Sequence, residues 1–98
     1  MIDRDKQKFP QIKLDFEKAE TKYVNLAVLS HSQAEFIIDF ARMLPGQEKP
    51  EAQDRMIMTP LHAKLLLLAL KENIDKFENR FGEIQVPQEA KKGMSFKA

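Results

Sequence analysis

The sequence predicts an α+β fold: an antiparallel β-meander of three or four strands, then one long C-terminal helix packed on the sheet, in a chain that forms a dimer. Three observations carry this reading. The first half of the chain holds short segments that alternate apolar and polar residues, the period of a half-buried strand. The stretch TPLHAKLLLLALKENIDKFENRFG, Thr59 to Gly82, has the start, the stop and the spacing of a single helix. The early turns of that helix are apolar on two opposite sides, which is more than one small sheet covers.

The elements follow in order. Residues 1–11 are polar, contain Pro10, and read as a flexible N-terminal arm. IKLDFE (12–17) places Ile12, Leu14 and Phe16 on one side and Lys13, Asp15 and Glu17 on the other, as a strand does. KYVNLAVLS (22–30) is aromatic and β-branched, and its Val24, Leu26, Val28 side is expected to face the core. Residues 33–43 fit two patterns. Ser32 and Glu35 have capping-box spacing ahead of a helical stripe of Ile37, Phe40, Ala41 and Leu44. Phe36, Ile38 and Phe40 also alternate as a strand would, behind a Ser30-His31-Ser32 turn. Pro45-Gly46 ends either element, GQEKPEAQ is a loop, and DRMIM (54–58) is a short strand.

For the helix, Thr59 is the expected N-cap, Pro60 the first helical residue and Gly82 the C-terminal cap. Ala63, Leu67, Leu70, Ile74, Phe77 and Phe81 are spaced 4, 3, 4, 3, 4 and form one stripe, expected to lie on the sheet. A second set, Leu61, Leu65 and Leu68, faces away from it and stops at Glu72. Its expected role is the oligomer interface, used twice across a two-fold axis. The competing cover is the N-terminal arm folded back through Ile2 and Phe9. Residues 12–84 thus read as one domain and 85–98, with Pro87, Gly93 and several lysines, as a flexible C-terminal tail.

Composition narrows the functions. At 43% hydrophobic and 32% charged residues the chain falls in the globular range rather than the disordered one. A net charge of +1 gives no strong field for nucleic acid or anionic membrane. With no cysteine, thiolate catalysis and Cys-based zinc sites are excluded. MIDRDKQKFP has no apolar core of a signal peptide, and no apolar run reaches the ~20 residues of a membrane span, so a cytoplasmic protein is expected.

SHSQAEFIIDFARMLPG and RMIMTPLHAKLLLLALKENIDKFENRFGEI carry a resemblance. With Tyr23 and Asn25 ahead of them, they are similar to the pattern of a family of small bacterial and archaeal proteins, a domain of unknown function. The residues that match are Ser30, Ser32, Glu35, Phe36, Asp39 and Phe40; Leu44, Pro45 and Gly46; Arg55, Pro60, His62, Ala63, Lys64, Leu66, Ala69, Leu70, Asn73 and Ile74; and Glu78, Phe81, Gly82, Glu83 and Ile84. The match spans residues 12–84. It implies no activity, and it tilts residues 35–42 towards a strand.

Candidate sites are few. His62 has Lys64 nearby, and His31, Glu35 and Asp39 are the other conceivable metal ligands, but no ligand spacing joins them. A capping role for His62 is the simpler expectation, and no metal or cofactor is expected. Asp39, set between Ile38 and Phe40, calls for a partner such as Arg42 or Arg55. Asn25 and Ser30 read as edge and turn residues. With no second catalytic group beside Asp39, the chain is not expected to be an enzyme. The leading expectation is a homodimeric protein–protein interaction module, a small subunit or adaptor. The alternative is a nucleic-acid-binding dimer using Arg42, Arg55, Lys64 and the tail residues Lys91, Lys92, Phe96 and Lys97. A sensor with a pocket of Tyr23, Asp39 and His62 comes third.

Overall fold

The segment that fits both patterns, FIIDFAR, is a strand in the computed structural model, which describes residues 12–88 and 94–97. Its aromatic and β-branched residues suit an extended chain, and it has a ladder on each side. It is β2 (Phe36–Arg42), flanked antiparallel by β1 (Leu26–His31) and by β3 (Glu51–Met58). Ser32 and Glu35, spaced as a capping box, instead close the β1–β2 connection: the Ser32 amide donates to the Glu35 carbonyl at 2.9 Å, and the Ala34 amide to the Ser32 hydroxyl at 3.2 Å. A central strand gains bonds along both edges, and that tertiary gain outweighs a local helix signal.

Leu44-Pro45-Gly46-Gln47 then turns the chain, with the Gln47 amide on the Leu44 carbonyl at 3.1 Å. Gly46 has φ 89°, a conformation that side chains disfavour, and Pro before Gly suits a type II turn. β3 begins earlier than the 54–58 expected. An extra residue, Gln53, bulges where Phe40 pairs with Asp54 and Ala41 with Ala52.

Two expected features of the strands differ. Residues 12–17 alternate but are not a strand; Ile12, Leu14 and Phe16 are exposed, and the segment ends in a turn with the Ala19 amide on the Phe16 carbonyl. The outer edge of β1 is taken by β4 (Met94–Lys97), which runs parallel to it and falls in the segment expected as a flexible tail. The order is β3-β2-β1-β4. The second difference is which side of β1 is inside. Ala27 is its buried residue, on the side opposite Leu26 and Val28. The N-terminal arm, 1–11, with Ile2 and Phe9, and the lysines Lys91 and Lys92 lie outside the described residues.

The helix α1 (Pro60–Phe81) has the termini the sequence predicts. Thr59 is extended, and its hydroxyl accepts from the His62 amide at 3.2 Å; Gly82 has φ 102° and donates its amide to Glu78. The α+β class holds, but the helix does not take the expected seat on its own sheet. None of its residues is buried, and its contacts with the strands are chiefly with the neighbouring β3. The junction explains this. One residue separates β3 from α1, where strand–helix connections usually have two to six. That residue, Thr59, precedes a proline and is therefore held extended, so α1 is not turned back over the sheet.

The core is small as a result. Among the described residues only Ala27, Ile38 and Ala41 are buried, and Ile38 is the one large side chain of the three.

Candidate functional site

The feature that asks for a function is the apolar surface of α1. In a helix, residues three and four apart stack on one side. The stripe Leu67, Leu70, Ile74, Phe77 and Phe81 is exposed along its length, from 38% at Ile74 to 66% at Phe81. Ala63, nearest the sheet, is half-buried. Phe77 and Phe81 lean together with centroids 5.0 Å apart, and the Arg80 guanidinium lies 5.2 Å from the Phe81 ring. Leu61, Leu65 and Leu68, on the opposite side, are exposed as well. The flanks are polar: Lys71 pairs with Asp75 at 2.9 Å, and Lys76 with Glu72 at 3.5 Å. Both apolar faces of α1 are thus exposed among the described residues, the first of them without the expected cover of the sheet.

The sheet offers a second open surface. Residues paired across antiparallel strands share a face. Leu29 with Ile38, Ala27 with Phe40, and Met56 and Met58 with Ile38 and Phe36 make one largely apolar face. His31 stacks on Phe36 at its end, with centroids 5.3 Å apart. The other face carries Leu26, Val28, Ile37 and Ile57 around one ion pair.

That ion pair is Asp39 with Arg55, directly opposite in register. Arg55 Nε and Nη2 donate to the two carboxylate oxygens at 2.7 and 3.1 Å, a forked geometry. The guanidinium bonds hold the Asp39 carboxyl below its ordinary value and push Arg55 above its own. An ionised, paired carboxylate is a poor proton-transfer group at neutral pH. An open hollow of about 610 Å³ beside it is lined by Leu26, Val28, Ala41, Pro50 and the pair itself; neither Tyr23 nor His62 lines it.

The other candidates have structural roles. The His62 ring Nδ1 lies 2.6 Å from the Thr59 hydroxyl, so His62 serves the N-cap. Asn25 clamps the far end of the β1–β2 pair: its amide nitrogen donates to the Met43 carbonyl at 3.0 Å, and its oxygen accepts from the Met43 amide at 2.9 Å. Ser30 lies within β1. Glu78 accepts from the Ile84 amide at 2.9 Å and so ties the chain beyond Gly82 to the helix. Lys22 reaches Asp54 at 3.0 Å, which raises its pKa, and the Gln53 carbonyl at 3.3 Å beside the bulge. Among the described residues, no three His, Cys, Asp or Glu side chains gather around a common point.

Of the cations named for nucleic acid, Arg42 and Arg55 lie on opposite faces of the sheet. Arg42 pairs with Glu51 at 3.1 Å and, three residues along β2 from Asp39, projects to the opposite face from the Asp39–Arg55 pair. Lys64 is on α1. No helix among the described residues is long and apolar enough to cross a membrane.

Sequence comparison gives this arrangement a family and no activity. Residues 1–86 match the model of a protein of unknown function, DUF3467, and the chain belongs to that family. Neither the curated proteins nor the solved structures contain a significant match to it. The residues singled out in the sequence can be read physically. Asn25, Ser32, Glu35, Pro45, Gly46, Pro60 and Gly82 serve turns, clamps and caps, while Leu70, Ile74 and Phe81 lie on the exposed stripe. What sequence reasoning missed is that the stripe is left uncovered among the described residues. The single-residue spacing between Met58 and Pro60 was the available signal.

Proposed function

We propose that the protein is a non-enzymatic interaction module, a cytoplasmic homodimer that works as a small subunit or adaptor, with α1 as its contact element. The observation that supports this is the exposure of both apolar faces of α1 over a sheet with almost no core. A chain that buries so little gains stability by covering that surface with another chain. The two candidate contacts are the patch of Leu61, Leu65 and Leu68 and the long stripe through Leu70. The absence of cysteine and the fully paired Asp39 fit a role without bond chemistry.

The test compares wild type with Leu65→Glu and Leu70→Glu by thermal melting across a concentration series. A self-associating fold melts higher as concentration rises, and a charge placed in the contact removes that dependence. The reading expects a rising melt for wild type and its loss in at least one variant. A wild-type melt that is independent of concentration would contradict it.

A further inference from the structure

The spacings 4, 3, 4, 3, 4 alternate as the a and d positions of a heptad do, so the exposed stripe has the form of a helix-pair seam. Resting on the self-association reading and deepening it, we infer that two copies of α1 pair antiparallel along this stripe, Ala63 of one copy facing Phe81 of the other.

Side-chain size sets the direction. Along the stripe the residues run Ala, Leu, Leu, Ile, Phe, Phe. A parallel pair would set alanine against alanine at one end and phenylalanine against phenylalanine at the other, leaving a gap and a crowd. Both are costly in a close-packed interface. The antiparallel pair sets Ala63 against Phe81, Leu67 against Phe77 and Leu70 against Ile74, each twice, so every layer joins a smaller residue to a larger or similar one. Charge agrees. The same register brings Lys64 beside Glu78 of the second copy, whereas a parallel pair brings no opposite charges together across the flanks. It also sets Lys71 beside its own copy at the axis, and Lys71 already carries Asp75 as its counter-ion.

Phe77 and Phe81 are 48% and 66% exposed, so covering them removes roughly half of the ~150–250 Å² that each buries in full. Together that is about a fifth to a third of the ~800 Å² per partner of a stable interface, to which Leu67, Leu70 and Ile74 add. A second copy is the occupant because, turned end for end, it brings the inverted size gradient and the Lys64–Glu78 charge match. Leu61, Leu65 and Leu68 lie on the far side of α1, outside this seam.

The chain has no cysteine, so introduced thiols report cleanly. Leu70→Cys and Ile74→Cys chains are oxidised separately and after mixing. The expected product is the mixed disulfide, in several-fold excess over either same-variant disulfide. Asn73→Cys, beside the seam and facing its own copy only in the antiparallel register, is expected to link through a short bismaleimide, which leaves the seam residues intact. Same-variant disulfides in the separate samples would show a parallel pair and overturn the inference. No linking in any sample, with a protein that still sediments as a dimer, would place the interface elsewhere, for instance α1 on the second copy's sheet, and would overturn it while the dimer stands. No linking together with a monomeric protein would remove both.

Discussion

Asp39 sits on an otherwise apolar strand, and one cross-strand partner satisfies it. Because the Arg55 bonds lower its pKa, folding favours the ionised form. The stabilisation is present above the ordinary aspartate value and is lost as pH falls through the lower, folded one. Thermal melts across the acid range should therefore show wild type losing stability in that window, with a flatter profile for Asp39→Asn. Equal acid slopes in the two proteins would show that the pair adds nothing. Asn25 makes a different claim. Its two side-chain bonds to Met43 hold the chain ends beyond the β1–β2 ladder, and each such bond contributes about 0.5–1.5 kcal/mol. Asn25→Ala should lower the urea midpoint by the equivalent of about 1–3 kcal/mol at constant slope. At this scale the sequence was partly legible. It posed the question of a partner for Asp39 and named Arg42 and Arg55, but choosing between them needs the register, which places Arg55 opposite and Arg42 on the other face.

At the scale of elements, local chemistry and tertiary pairing decide different things. The ends of α1 were legible because capping is local: Thr59, Pro60 and Gly82 act on backbone groups within a turn of themselves. Thr59→Ala should cost about 0.5–2 kcal/mol, read as a lower melting temperature with reduced helical signal. An unchanged melt would mean that the His62 ring and water replace the cap. Residues 36–42 were not decidable locally, since Ser32 and Glu35 suit a hairpin as well as a helix start. Residues 12–17 show the converse. Their alternation is as regular as that of β2, yet no strand forms, although β3 keeps an unpaired edge among the described residues. Periodicity reports that a face suits burial. It does not report which chain supplies the cover, and that is why the stripe on α1 was assigned to its own sheet.

At the scale of the whole molecule, the short junction and the exposed stripe belong together. A stiff one-residue link holds a helix of roughly 33 Å away from its sheet, and the apolar surface this exposes is costly for a chain left alone in water. In a symmetric dimer each contact occurs twice. Replacing Leu70 by alanine removes about 1.5–3 kcal/mol per copy, so dimer dissociation should strengthen by roughly 10²–10⁴-fold, at tenfold per 1.4 kcal/mol. The measurement that bears most directly on this account is sedimentation equilibrium of the wild-type protein at about 100 μM, well above the ~μM dissociation constant of a modest dimer. The account predicts a species of twice the 11.4 kDa chain mass; a single monomeric species at that concentration would contradict it.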